Sequence, residues 1–389
     1  MNVPFELLSC IASELGSIDL GNFRLASRAC ANAGASFIPR YGLSVLNTSR
    51  DIKELEDVLQ NPRIALNVKE LRVFHVQWPV CSRQEWETHH LLFGGNGRLQ
   101  HQFPSTASVR QLSDKAFVAY REHISEQESR RYFDEVSALY TAFSLLPNLT
   151  SIQVSNMHEY LWNPKSNRRY YKLQQSIWIS PFYSSDVTRT VEAVSLASKT
   201  GTHLGQLAAF SVLGYFNPED LHLGPSDTFP HIQNLDIDEF LVCENEKSIR
   251  SFLLRFPNLR TLSLKFRGWM PAIGIFDSTH WPSLTRLDVR GMWTSEVEFA
   301  KILETHADSL THFGMHDSSL TDGSWQGLFT KIRNLERQPE ITLSGDLSGT
   351  SESETLYMGS DLVQHQMSEF LHDLNVAWPF RSSVWNQGD

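Results

Sequence analysis

Cysteine is scarce in this sequence, and its spacing excludes two classes of fold. The 389 residues include 4 cysteines, at Cys10, Cys30, Cys81 and Cys243, and no two of them form a CxxC pair. Structural zinc sites need clustered ligands, and disulfide frameworks need many cysteines in a short chain. We therefore predict neither, and we expect a reducing compartment inside the cell, in the cytoplasm or the nucleus.

Long apolar runs and an excess of positive charge are also missing. No stretch of about 18 apolar residues is free of charges, which argues against a membrane span. The first residues lack the basic and apolar regions of a secretory leader. Lys and Arg number 34 against 44 Asp and Glu, a net charge of −10. Because nucleic-acid binding depends on clustered cations, we expect protein partners and neither nucleic acid nor a membrane.

The motifs of common active sites are absent as well. The sequence contains no GxxxxGK[ST] or GxGxxG phosphate loop, no GxSxG elbow and no HExxH helix. His312 and His316 fall in a predicted strand, where they would stand about 13 Å apart at ~3.3 Å per residue and make poor co-ligands. We predict no catalytic residue, metal or cofactor. An enzyme that uses the glycine-rich segment 94–97 or these histidines is the distant alternative.

The first 34 residues predict two amphipathic helices. Pro4 suits a first helical position, Gly16 a C-terminal cap, and Asp19 the N-cap of a second helix that runs through Ser27 toward Gly34. The apolar positions at helical spacing are Leu7, Leu8, Ile11 and Leu15 in the first helix and Leu20, Phe23 and Leu25 in the second. Two such helices bury little surface alone, so we expect them to pack on a partner protein or on the rest of the chain.

The body of the chain repeats the pattern apolar-x-x-apolar-x-apolar. Its first positions at 207, 232, 259, 284 and 310 are separated by 25, 27, 25 and 26 residues, and earlier copies occupy 68–73 and 149–154. This period lies within the ~20–29 residues of leucine-rich repeats, each a strand with a helical return. We predict an α/β fold, a leucine-rich-repeat solenoid of parallel strands, with helices that include 249–254 and 297–303.

Four segments follow from these patterns. We predict a helical element over 1–45 and a first repeat-like strand with a loop and long-helix insertion over 46–146, the helix covering 116–143. The solenoid occupies 147–345 and a polar loop with a capping segment occupies 346–389. The loop extends over 343–354, a short helix lies near 362–374, and an aromatic tail with Trp378, Phe380 and Trp385 closes the array.

Side chains alternate across a strand, so every second residue of each copy lines the open, concave face of the sheet. These positions change from acidic through basic to histidine along the array, which suits recognition of an extended protein substrate. They are Asn234, Asp236 and Asp238; Thr261, Ser263 and Lys265; Arg286, Asp288 and Arg290; and His312 and His316.

The N-terminal pattern resembles the F-box. The residues that carry the likeness, in order and at the right spacing, are Val3, Pro4, Phe5, Glu6, Leu7, Leu8, Ile11, Leu15, Asp19, Leu20, Phe23, Leu25, Ser27 and Arg28. With the repeats behind it, the chain is similar to fungal-style F-box proteins with leucine-rich repeats. Such proteins are non-catalytic substrate receptors of SCF-type ubiquitin ligases. They dock on the Skp adaptor and, through it, on a cullin.

The resemblance implies roles for particular residues in the N-terminal helices. Adaptor contacts, or the packing behind them, are expected from Pro4, Leu7, Leu8, Ile11, Leu15, Leu20 and Leu25. The alternative is a non-catalytic leucine-rich-repeat scaffold without a role in ubiquitin transfer, in which the N-terminal helices only cap the solenoid.

Overall fold

The computed structural model describes residues 3–75, 77–93, 107–156, 168–179, 187–200, 204–241, 246–267, 272, 274–276, 279–350, 355–359 and 361–380. The chain divides into two compact units, Met1–Leu207 and Ala208–Asp389. The protein is mixed α/β with parallel strands, as the sequence predicts.

Three short helices open the first unit: α1 (Phe5–Glu14), α2 (Ser17–Ala26) and α3 (Arg28–Gly34), followed by a 3-10 helix (Ala35–Tyr41). The prediction of one helix from Asp19 to Gly34 is wrong, because Ser27 is extended (φ −165°, ψ 166°) and its hydroxyl accepts the Cys30 N–H at 3.1 Å. Gly16 is the N-cap of α2, with an ordinary φ of −67°, and does not cap α1.

The rest of the first unit alternates strands and helices. The strands β1 (Leu43–Leu46), β2 (Glu70–Phe74) and β3 (Ser151–Ser155) pair in parallel. The helices are α4 (Ser49–Leu59), α5 (Pro62–Ala65), α6 (Arg83–Phe93), α7 (Ala107–Ser129), α8 (Tyr132–Ser144), α9 (Arg168–Ile177) and α10 (Val187–Lys199). The predicted single helix over 116–143 is two helices, because Arg131 has extended backbone (φ −91°, ψ 142°) and begins α8 as its N-cap.

Six parallel strands pair in chain order in the second unit. They are β4 (Ala209–Phe216), β5 (Asn234–Leu241), β6 (Thr261–Arg267), β7 (Arg286–Arg290), β9 (His312–His316) and β11 (Glu340–Ser344), with short strands β8 (Trp293–Thr294), β10 (Ser319–Leu320), β12 (Asp346–Leu347) and β13 (Leu356–Tyr357). The helices are α11 (Glu246–Leu253), α12 (Glu296–Thr305), α13 (Trp325–Arg333) and α14 (Asp361–His372).

Most of the predicted elements in this unit are confirmed. The first five long strands lie at the predicted copies, and α11, α12 and α14 occupy the predicted helical stretches. The prediction of a loop over 343–354 is wrong at its start, because β11 extends to Ser344 and Asp346–Leu347 form β12, which pairs antiparallel with β13. Residues 351–354 lie outside the described residues. The tail behaves as a cap on the last helices, since Trp378 contacts Phe329 and Phe370 at ring distances of 6.1 and 5.1 Å. Trp385 lies outside the described residues.

The core of this unit lies on one side of the sheet. The strand register aligns buried apolar side chains in two rows. Helix α12 packs on the first row, where the ring centroids of Phe299 and Phe313 are 6.4 Å apart. Helix α11 packs on the end of β4, where the ring centroids of Phe252 and Phe216 are 4.9 Å apart. The rows are Phe210, Leu235, Leu262, Leu287 and Phe313, and Val212, Ile237, Leu264, Val289 and Met315. Since side chains alternate along a strand, the residues between them face away from this core.

Candidate functional site

The N-terminal helices expose large apolar side chains. Leu25 is 86% exposed and Ile18 is 77% exposed. The full set, here called the N-terminal apolar set, is Val3, Phe5, Leu7, Ile11, Ile18 and Leu25. Exposed apolar surface on neighbouring turns of a helix, such as that of Leu7 and Ile11 on α1, marks interaction sites in soluble proteins.

The residues that the F-box resemblance assigns to the adaptor divide into two groups. Pro4, Leu7, Ile11 and Leu25 are exposed, and Leu15 is half-buried. Leu8 and Leu20 are buried. Leu20 lies where α2 and α3 approach closely, because a Cβ placed on Gly34 would stand 3.2 Å from the Leu20 Cδ1 atom. The exposed group is available for binding, whereas the buried group holds the helices together.

The predicted substrate-binding residues form one polar face on the second unit. The register places them side by side in rows: Asn234, Thr261, Arg286 and His312; Asp236, Ser263, Asp288 and Gly314; and Lys265, Arg290 and His316. Asp238 reaches this last row, because its Oδ1 accepts from Lys265 Nζ at 3.0 Å. We call this surface the polar face.

Ion pairs run across the polar face. The Arg286 Nε donates to Asp288 Oδ2 at 2.5 Å, and the Arg290 Nη2 lies 2.9 Å from Asp317 Oδ2. The Arg267 guanidinium donates to the Glu239 carboxylate one strand away. Every guanidinium here is thus held by a carboxylate, which fixes the position of its planar head.

Asp288 is at the centre of this arrangement. A Cβ on Gly314 would stand 2.1 Å from its Oδ1, so the glycine makes room for the carboxylate, and the His312 Nε2 lies 3.4 Å from the same oxygen. Burial lowers the pKa of His316, an effect that Arg290 adds to and that Asp288 opposes. The ring of His316 lies 2.6 Å from the Ser344 hydroxyl.

The pKa of Asp236, in the middle row, is raised above its usual value. Burial is the main cause, and the charges of Asp238 and Asp288 add to it, while a hydrogen bond from Ser263 acts in the opposite direction. The polar face therefore resists further negative charge near β5 and carries its basic side chains on β6 and β7.

Metal binding finds no support in the part of the chain that the structure describes. No group of three or more His, Cys, Asp and Glu side chains there could hold a metal ion. Across the same residues, no helix is both long enough and apolar enough to cross a membrane.

The first unit contains a buried charged cluster that the sequence analysis missed. The His75 Nδ1 lies 3.4 Å from the Glu135 Oε1, its Nε2 lies 2.6 Å from the Thr190 hydroxyl, and Arg189 donates to the other Glu135 oxygen. His75, Glu135 and Thr190 are at most 4% exposed. The order hydroxyl, imidazole, carboxylate is that of a hydrolase triad, but at this burial no substrate reaches the hydroxyl.

The neighbours of Glu135 favour its ionised form. Burial alone would raise the pKa of Glu135, yet His75, Arg189 and Arg130 together hold the pKa below its usual value. The cluster joins the residue after β2 to α8 and α10. No sequence motif predicts this cluster, because His75 and Thr190 are 115 positions apart in the sequence and Glu135 and Arg189 are 54 apart.

No model of a known protein family matches the sequence, and a search of curated proteins finds no match. The two surfaces and the residue pattern of the N-terminal helices are therefore what a functional proposal rests on.

Proposed function

We propose that this protein is a substrate-recognition subunit of an SCF-type cullin–RING ubiquitin ligase. Its N-terminal helices would bind a Skp-type adaptor, and through it a cullin, and its polar face would hold a protein substrate. The predicted leucine-rich-repeat solenoid belongs to the same proposal.

The observation that carries the proposal is the exposure of the N-terminal apolar set. Leu7 and Ile11 lie one helical turn apart, so both face the same side of α1, while Leu8 is buried behind them. Burying one large aliphatic side chain at an interface contributes about 1.5–3 kcal/mol. Several such side chains are exposed at the positions where the F-box resemblance expects adaptor contacts. Together they supply the affinity that docking needs.

The mechanism is positioning. A receptor that binds the ligase scaffold at one surface and the substrate at another raises the effective concentration of substrate lysines near the ubiquitin-charged enzyme. The receptor contributes no catalytic side chain to such a transfer. This role fits a chain whose Thr190–His75–Glu135 arrangement is closed to solvent.

A specific observation favours the rival function, a scaffold whose N-terminal helices serve only the fold. The Arg63 guanidinium of α5 lies 5.5 Å from the centre of the Phe5 ring, and its Nη1 lies 3.4 Å from the Asn32 carbonyl oxygen. These contacts attach α1 and α3 to the rest of the first unit. The scaffold function, however, gives no role to the exposed side chains of Leu7, Ile11 and Leu25.

The test is co-expression with a Skp-type adaptor, followed by size-exclusion chromatography. We expect wild type to elute as a one-to-one complex and the Leu7→Asp/Ile11→Asp variant to elute alone, with an unchanged circular dichroism spectrum. Leu8 is unsuitable because a buried aspartate would unfold the helices. The matched control is Leu66→Asp/Val118→Asp, two exposed apolar positions of the first unit outside the set.

Two outcomes contradict the proposal. Absence of a complex with folded wild type leaves the scaffold. Equal loss of the complex in the control variant shows that added negative charge, and not the N-terminal apolar set, governs the association.

A further inference from the structure

We propose that the polar face binds an acidic segment of its protein substrate through a strip of basic side chains on β6 and β7. The strip consists of Lys265, Arg267, Arg286 and Arg290. The inference rests on the proposed function only in treating the polar face as the substrate surface. It adds the chemical class of the ligand.

The strand register brings cations next to one another. Lys265 of β6 lies directly opposite Arg290 of β7, and Arg290 lies opposite His316 of β9. Neighbouring strands stand about 4.8 Å apart, and like charges in directly opposite positions destabilise a sheet. Asp238 and Asp317 already offset part of this repulsion, and a bound anion between the two cations offsets it further.

The basic groups extend further into solvent than the carboxylates that pair with them. The exposed fractions of the two side chains are 50% against 18% for Arg286 and Asp288, and 51% against 13% for Arg267 and Glu239. They are 39% against 20% for Lys265 and Asp238, and 57% against 43% for Arg290 and Asp317. An approaching peptide therefore meets guanidinium and ammonium groups first. The net charge of the chain is negative, so this outward display of cations above their carboxylates is a local feature.

Arg286 and Arg290 each have guanidinium N–H donors that their partner carboxylates do not use. Arg286 uses Nε and Nη2 on Asp288, and Arg290 uses Nε and Nη2 on Asp317. The Nη1 group of each arginine is then available for a carboxylate, and the existing pair fixes its direction. A held guanidinium loses less freedom on binding than a mobile one.

The neighbouring strands limit where the acidic segment lies. Asp236 and Asp238 on β5 face the strip from one side, and Glu340 of β11 and Asp317 face it from the other. These carboxylates repel an anion, while His312 and His316 lie between Glu340 and the strip. The acidic residues of the ligand therefore belong over β6 and β7, with neutral or basic residues on either side.

The test uses the full chain and fluorescence anisotropy with a short labelled peptide whose central residues alternate Glu and Ser. The same peptide with Gln in place of Glu is the ligand control. We expect the Glu peptide to bind and the Lys265→Gln/Arg290→Gln variant to bind it about tenfold more weakly, the loss expected for two ion pairs at a solvated interface. Added salt weakens binding to wild type.

The matched control variant is Arg50→Gln/Lys247→Gln. It removes the same charge from exposed positions of α4 and α11, and we expect no change in affinity. Equal affinity for the Glu and Gln peptides overturns the inference, and so does an equal loss in both variants, which means general charge attraction.

Adaptor co-elution keeps the two proposals distinguishable. A Glu-selective polar face without an adaptor complex overturns the ligase proposal and supports the acidic ligand. An adaptor complex together with no preference for Glu does the reverse.

Discussion

The buried charged cluster of the first unit and the polar face of the second use the same side-chain chemistry at opposite extremes of burial. His75 and Glu135 are closed off from water and Arg189 is only 17% exposed, whereas Arg286, Arg290 and their partners line a solvated sheet. Removing one member of a buried set leaves an uncompensated charge in a medium of low dielectric constant. Exposed pairs are screened, and most contribute ~0–1 kcal/mol to stability. The first cluster therefore stabilises the fold, and the second keeps its charges available for a ligand.

The sharpest test of this comparison is one change of residue type made in both places. Glu135→Ala leaves the buried His75 and the partly buried Arg189 without their carboxylate, and we expect the free energy of unfolding to fall by about 3–5 kcal/mol. Glu340→Ala removes a carboxylate that is 80% exposed and 3.7 Å from His312 Nδ1, and we expect a loss below about 1 kcal/mol. Urea denaturation measures both. Similar losses in the free energy of unfolding for the two variants would contradict the distinction between a stabilising buried cluster and a solvated polar face.

The break between α7 and α8 explains why sequence patterns missed the buried cluster. Apolar residues continue at helical spacing on both sides of Arg130 and Arg131, so the pattern predicts one helix over 116–143. The chain instead leaves helical geometry at Arg131. The separate helix α8 carries Glu135 to His75, a contact fixed by tertiary packing alone.

The polar face shows the opposite behaviour, since a local period is enough to predict it. Alternation within 259–264 and 284–289 puts Leu262 and Leu287 in the core and Ser263 and Asp288 on the other side, and the register confirms both rows. The ion pairs on that face were not predicted, because they depend on which strands are neighbours. The strand β11 was missed because Gln338 stands at the first apolar position of the pattern, although Ile341 and Leu343 fill the other two.

Acidification tests the first and second units together, because each holds a shielded histidine. Burial lowers the pKa of His123 to about 4 and that of His306 to about 4, against about 6.5 in the unfolded chain. The unfolded state therefore binds protons first. Stability present above pH 6.5 is lost as the pH falls from 6.5 toward 4.

Denaturation midpoints measured between pH 7 and pH 4 check this expectation, with a His306→Phe variant as the comparison. The aromatic ring retains the packing on Trp281, 5.7 Å away, and removes one titrating group. We expect a shallower decline with pH than in wild type. A decline of unchanged slope would show that His306 does not contribute.

Glycine-to-alanine substitutions are expected to have opposite effects on stability at one position in each unit, because the backbone conformations there differ. Gly291 follows β7 with φ +67°, and a Cβ there would stand 2.9 Å from the Phe266 carbonyl oxygen. We expect Gly291→Ala to destabilise the protein by about 1–3 kcal/mol. Gly21 lies inside α2 with nothing within 4 Å of its Cβ position, so we expect Gly21→Ala to stabilise by up to about 1 kcal/mol. Thermal unfolding gives the sign of each change.

The smallest effect on stability is expected where the effect on binding is largest. Lys265→Gln/Arg290→Gln removes two exposed cations, and we expect the free energy of unfolding to change by less than about 1 kcal/mol. Part of the lost pairing is offset, because the two cations repel each other across β6 and β7. Urea denaturation of this variant beside the Arg50→Gln/Lys247→Gln control checks it. A large loss of stability in the first variant alone would mean that the strip is built into the fold and is not held ready for a ligand.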